Sequence, residues 1–118
     1  MYRVLVVDDS KFMRMLLTEK LQKAGCEVIE AECGYDAVDI YRDNKPDMVT
    51  MDILMPDQDG IETLQQIKEE FPDAKVVMVT ALGMEDHIER ALSLGAVGCI
   101  IKPFAQEQVD EVVHRVLG

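Results

Sequence analysis

The stretch VTMDILMPDQDG, Val49 to Gly60, changes character at Asp52. Apolar residues run up to that aspartate; beyond it Pro56, three polar residues and Gly60 are turn signals. A carboxylate where a buried strand ends is costly to desolvate unless something pairs with it. The partners of Asp52 have to be sought at the ends of the other apolar runs.

Those runs recur along the chain. Val4 to Val7 is continuous and mostly β-branched, as expected of a strand covered on both faces. Asp8-Asp9-Ser10 ends it and offers caps for a helix from Lys11 to Ala24, with Met13, Leu17, Leu21 and Ala24 as its inner stripe, broadened by Phe12 and Leu16. Gly25 stops that helix. Cys26 to Ala31 reads as an edge-like strand, with Val28 and Ile29 among glutamates. A helix from Gly34 to about Asp43 puts Ala37, Val38 and Tyr41 inward, and Asn44, Lys45 and Pro46 form a loop. Met48 to Met51 is the third strand, delivering Asp52. Ile61 to about Glu70 is the third helix, and Lys75 to Val79 a strand ending at Thr80. A helix from about Glu85 to Leu94 buries Ile88, Ala91 and Leu92. Val97 to Ile101 is the last strand, ending at Lys102-Pro103, and Gln106 to Leu117 the closing helix, with Val109, Val112, Val113 and Val116 inward.

Five strands alternating with five helices imply right-handed βαβ crossovers and a parallel sheet with helices on both faces. The expected class is α/β, a doubly wound three-layer sandwich of flavodoxin-like type with strand order 2-1-3-4-5. Its functional crevice lies at the carboxyl ends of strands 1 and 3. At 118 residues the chain is expected to form one domain, residues 1–118.

Composition narrows the function. Lys and Arg total 12 against 23 Asp and Glu, a net charge of -11. Such a surface repels phosphate backbones and anionic membranes, so neither nucleic acid nor membrane is an expected partner. Three cysteines without C-x-x-C spacing suit reduced thiols in a cytoplasmic protein. The N-terminus turns acidic too quickly for a signal peptide, and no apolar stretch approaches the roughly 20 residues of a membrane span.

The chemistry collects at the strand ends. Strand 1 delivers Asp8 and Asp9, strand 3 Asp52, strand 4 Thr80 and strand 5 Lys102. Parallel strands place all five on one rim. Three carboxylates held close together cannot all stay ionised without a cation, and hard oxygen ligands suit Mg²⁺. Three negative charges against a divalent metal and Lys102 sum to zero. Were Asp52 to become an acyl phosphate, the Thr80 hydroxyl and backbone N–H groups could hydrogen-bond the added charge.

The Asp8-Asp9 pair, Asp52, Thr80 and Lys102-Pro103-Phe104 together resemble the receiver domain of bacterial response regulators, over the whole chain. The resemblance implies that Asp52 accepts a phosphoryl group from a histidine kinase or a small phosphodonor, and that the chain is a phosphorylatable signalling domain of a phosphorelay and not an enzyme in the ordinary sense. It implies Mg²⁺ on Asp9, Asp52 and the Leu54 carbonyl, with Asp8 acting largely through water. Lys102 would pair with the phosphoryl group over a cis Lys102-Pro103 bond, Thr80 would move to hydrogen-bond it, and the small Ala81 would leave it accessible. The wording DDSKFMRMLL and VTMDILMP resembles the CheY-like, single-domain chemotaxis group. An output partner is then expected on the face from Glu85 through Leu117 (helix 4, strand 5, helix 5), with flagellar motor switch protein as the guess. A receiver cut from a larger regulator, such as a transcription factor, would read alike.

The chain departs from the family pattern at Cys99, three residues before Lys102, where receivers usually carry an aromatic that rotates on activation. Leu54 and Leu82, two residues beyond Asp52 and Thr80, cannot orient an attacking water, and slow self-dephosphorylation is expected.

Singly, the motifs have plainer readings: Asp8-Asp9-Ser10 as a helix cap, Asp52 as a turn residue, Thr80 as a strand threonine. Their coincidence at four strand ends favours function. Asp57-Gln58-Asp59-Gly60 fails the calcium-loop template, whose first and twelfth ligand positions would be Met55 and Gln66. His87 and His114 read as surface histidines, and the methionines as core and crevice lining. A phosphohydrolase of the haloacid-dehalogenase type uses a similar cast but needs D-x-D-x-T after strand 1, where this chain has D-D-S-K. A flavin binder would need a phosphate loop there, which two aspartates oppose.

Overall fold

Both faces of every central strand are apolar, and the sheet is accordingly sandwiched. The structure, a computed structural model, describes residues 1–55 and 59–118; Pro56, Asp57 and Gln58, read above as part of a turn, lie outside them. The elements run β1 (Arg3–Val7), α1 (Lys11–Lys23), β2 (Glu27–Ala31), α2 (Gly34–Asn44), β3 (Met48–Asp52), α3 (Gly60–Glu70), β4 (Val76–Ala81), α4 (Glu85–Ser93), β5 (Gly98–Lys102) and α5 (Gln106–Leu117). All strand pairs are parallel, in the expected order β2-β1-β3-β4-β5.

Alternate residues supply two cores. Leu5, Val7, Val49, Met51, Val76 and Met78 face α2, α3 and α4, where Ala37, Tyr41, Leu64, Ile67 and Ala91 meet them. Val4, Val6, Met48, Val77, Val79 and Ile100 face α1 and α5, against Leu17, Leu21, Val109 and Val112. Each fully buried aliphatic side chain contributes about 1.5–3 kcal/mol, so these layers fix the register of the sheet. β2 is the edge strand that its glutamates suggest, with Glu27 and Glu30 exposed. Among the described residues no helix is long and apolar enough to cross a membrane.

Local signals explain the helix ends. Ser10 caps α1, its hydroxyl accepting from the Met13 N–H at 3.2 Å. Gly25 takes φ +89°, the left-handed conformation expected after a helix. Lys45 adopts the left-handed conformation after α2 without being glycine, with φ 45°.

Two helix faces differ from expectation. Phe12 is 66% exposed, because Arg14, Leu17 and Leu21 define the buried face of α1 and Phe12 lies nearly opposite Arg14 at about 100° per residue. Leu92 is also exposed; the short α4 buries only Ala91, leaving Leu92 on its rim. The strands also run further than read: β3 includes Asp52, β4 includes Thr80 and Ala81, and β5 includes Lys102. Asp52 and Lys102, read as lying just past their strands, are the last residues of β3 and β5, and Thr80 is the last but one of β4, all held by the ladder itself.

Candidate functional site

Sheet register arranges the carboxyl-end rim. Val7 pairs with Met51, which places Asp8 and Asp9 beside Asp52 on the neighbouring strand. Asp52 pairs with Val79, Thr80 with Ile101 and Ala81 with Lys102. One carboxylate oxygen from each of Asp8, Asp9 and Asp52 lies within 4.8 Å of the others. Asp8 and Asp52 are buried and Asp9 is exposed, so the cluster opens toward solvent on the Asp9 side.

Lys102 reaches over the cluster from β5. Its ammonium is 3.3 Å from Oδ1 of Asp52 and 3.5 Å from Oδ2 of Asp8. Asp8 is oriented by its own loop: its Oδ1 accepts from the Ser10 N–H at 2.9 Å. The Lys102-Pro103 bond is cis, as the resemblance implied.

One lysine does not neutralise three carboxylates. Burial, then repulsion from Asp8, pushes the Asp52 carboxyl up to about 6, against the opposing pull of Lys102. The donor set therefore fits a hard divalent cation: several carboxylate oxygens converge, one side is open for water, and the charge that burial disfavours is what such an ion would neutralise.

Around this centre, Thr80 is buried at the end of β4 while Ala81 after it is exposed. Leu54 and Leu82 are 61% and 79% exposed. Cys99 is half-buried on β5, opposite Met78 and packed against the core under α4. The three carboxylates and the lysine are thus drawn together, with Thr80 and Ala81 on the adjoining strand end and Cys99 further down β5.

Three features escaped the sequence reading. Gly60, the first residue of α3, donates its N–H to the Ile53 carbonyl at 2.7 Å, and a Cβ there would fall 2.0 Å from the carbonyl oxygen of Asp52. Asp59 caps the same helix, accepting from the Glu62 N–H at 2.9 Å. Arg14, an arginine on α1, is buried and donates to the Asp8 carbonyl at 2.7 Å. The D-G pair is a signal for the first two; nothing local marks the third. The exposed Phe12 also has a place: with Met13, Leu16, Lys20, Pro103 and Phe104 it lines a mostly apolar groove that reaches Lys102.

Comparison with known proteins bears on this arrangement. Residues 4–114 match the family described as the response regulator receiver domain. The chain is 43% identical over 118 residues to "Chemotaxis protein CheY" of Bacillus subtilis, covering 99% of this chain and 98% of the relative. It is 44% identical over 115 residues to the Thermotoga maritima protein of the same name, covering 97% and 96%. A solved structure of Vibrio cholerae chemotaxis protein CheY4 superposes with a TM-score of 0.92 at 29% identity, over 99% of both chains.

Proposed function

Since the chain belongs to the response regulator receiver domain family of two-component systems, we propose that Asp52 is its phosphoacceptor, with residues 1–118 acting as one receiver unit. The observation that carries this reading is the convergence on Asp52 of Asp8, Asp9 and the Lys102 ammonium, 3.3 Å from its Oδ1. A receiver is a signalling domain and not a classical enzyme, and its own residues assist a single transfer.

The transfer is a displacement at phosphorus. A carboxylate oxygen of Asp52 forms the new P–O bond. The bond from phosphorus to the donor breaks, leaving its electron pair on the imidazole nitrogen of a kinase phosphohistidine or on the acetate of acetyl phosphate. Lys102 stabilises the charge that develops on the phosphoryl oxygens, where a fixed cation lowers the barrier most. Mg²⁺, held by Asp9, Asp52 and the Leu54 carbonyl with Asp8 through water, would supply charge neutralisation on phosphorus-bound oxygen. Thr80 then hydrogen-bonds the phosphoryl group, and Ala81, without a bulky side chain, leaves the mouth of the site open.

The relatives' names support chemotaxis as the setting. A histidine kinase is the phosphodonor, for which the apolar groove beside Lys102 offers a contact surface. The output partner, flagellar motor switch protein in this setting, docks on α4, β5 and α5. The compartment that suits this chemistry is the cytoplasm.

Incubation with Mg²⁺ and acetyl phosphate tests the proposal by intact mass. Wild type should gain one phosphoryl group and Asp52→Asn none. Equal mass gain in both proteins would remove Asp52 from its role.

A further inference from the structure

Asp8 is held through every polar atom it has. Its N–H donates to the Ala31 carbonyl at 3.2 Å, at the end of β2. Its carboxylate takes the Ser10 N–H on Oδ1 and Lys102 on Oδ2. Its carbonyl accepts from Nη1 of Arg14 at 2.7 Å. This last bond is unusual for an amphipathic helix, because from the first turn of α1 it takes a guanidinium into the interior: the Arg14 side chain is only 8% exposed.

The guanidinium is fixed from outside as well. Its Nε donates to Oε1 of Glu30 at 3.0 Å, and Nη2 stands 3.7 Å from Oε1 of Glu32. Both glutamates are largely exposed, at 45% and 80%, so these ion pairs are weak by themselves. Together they aim the planar fork so that Nη1 meets the Asp8 carbonyl. The peptide between Asp8 and Asp9, which spaces the two carboxylates, is therefore clamped between α1 and the edge strand β2.

We propose that Arg14 is a positioning residue: by binding the Asp8 carbonyl it fixes where the Asp8 and Asp9 carboxylates stand relative to Asp52, and so sets the affinity of the site for a divalent cation. This rests on the reading of those three carboxylates as a cation site. Groups that orient metal ligands from behind typically change metal affinity about 10–100-fold when removed. Arg14 touches neither the cation position nor the phosphoryl group, so its loss acts on metal affinity and spares the transfer once the site is filled.

The test is calorimetric titration with Mg²⁺ alone, on wild type, Arg14→Met, Arg14→Lys and Glu30→Gln. Labelling by acetyl phosphate is followed in parallel across a Mg²⁺ series. Arg14→Met should bind Mg²⁺ about tenfold more weakly or worse, and Glu30→Gln should stay within roughly twofold of wild type, because the amide oxygen can still accept from Nε and only the charge of an exposed pair is lost. In Arg14→Met the half-saturating Mg²⁺ should rise while the labelling rate at saturation is kept, a split that a general loss of structure would not give. A folded Arg14→Met with wild-type affinity overturns the proposal. Should that variant not fold, Arg14→Lys decides, since a lysine keeps the charge but lacks the planar fork that sets Nε on Glu30 and Nη1 on the Asp8 carbonyl at once: weaker binding supports the role and wild-type binding overturns it. Failure of wild type itself to bind Mg²⁺ would overturn the cation-site reading and this proposal with it, whereas wild-type binding with unchanged variants removes Arg14 alone.

Discussion

Gly60 packs against Asp52 so closely that a Cβ on the glycine would sit 2.0 Å from the aspartate's carbonyl oxygen. The same approach brings the Gly60 N–H to the Ile53 carbonyl at 2.7 Å. The start of α3 is thereby seated on the strand end that carries Asp52. Gly60→Ala cannot be absorbed by a rotamer change, because the atoms in the way are backbone. It should cost about 1–3 kcal/mol, the range for overpacking a filled site, and displace Asp52. Urea denaturation measures the first effect and the acetyl phosphate labelling rate the second. Wild-type values for both would contradict the packing argument.

The raised Asp52 carboxyl makes stability depend on pH in a direction opposite to that of a salt-bridged aspartate. Its proton is held to about 6 in the native protein, whereas an unfolded aspartate gives it up near pH ~4. Between these values the native state binds more protons than the unfolded one, so stability is greatest at the acid side and falls as pH rises to about 6. Without metal, ionised Asp52 should cost up to about 3 kcal/mol at neutral pH. Asp52→Asn removes that cost while leaving Lys102 its contact with Asp8. In EDTA the variant should be more stable than wild type at pH 7.5, and the difference should shrink toward pH 4.5. Added Mg²⁺ should stabilise wild type and not the variant. Parallel pH profiles for the two proteins would show that Asp52 carries no such strain.

Much of this was legible because parallel strands convert chain order into position. Asp8, Asp52, Thr80 and Lys102 each follow an apolar run, and once the order 2-1-3-4-5 is inferred the rim follows from topology alone. Arg14 was not legible. Its neighbours Met13 and Met15 give no hint that the charge turns inward, and its partners are a backbone carbonyl and a glutamate sixteen positions away. Phe12 failed for the reverse reason: its spacing from Leu16 fits a helical stripe, but the centre of the stripe had already been set by Leu17 and Leu21. Gly60 reads as an ordinary turn residue, since the clash that requires glycine exists only when α3 is docked.

Leu54 and Leu82 flank the site with exposed apolar side chains, 61% and 79% accessible. Neither can hold a water by hydrogen bonding, so hydrolysis of an Asp52 acyl phosphate has no side-chain help from these positions. Slow self-dephosphorylation should follow. Leu54→Gln, which adds a group able to orient water, should shorten the phosphoryl half-life about tenfold, short of the roughly 100-fold lower end of positioned acid–base assistance because an amide orients water without taking its proton. Loss of label after removal of phosphodonor measures it. A wild-type half-life of a few seconds would count against the idea.

Cys99 gives the last expectation. It lies on β5 opposite Met78, half-buried against the core beneath α4, with Met84 and Ile88 packed on the same cluster. A thiol is too small to fill the space that an aromatic ring would sweep in rotating, so motion of residue 99 is not expected to supply the mechanical link to α4. The link expected instead is Thr80 and the segment after it, which leads from the end of β4 at Ala81 to the start of α4 at Glu85. With beryllofluoride as the phosphate mimic, hydrogen exchange of the α4 amides should change in wild type and in Cys99→Ala alike. Thr80→Ala should lose most of that response while still taking up label at Asp52. A response abolished by Cys99→Ala, or a Thr80 loop that stays in place on loading, would mean that the signal leaves the site by another route.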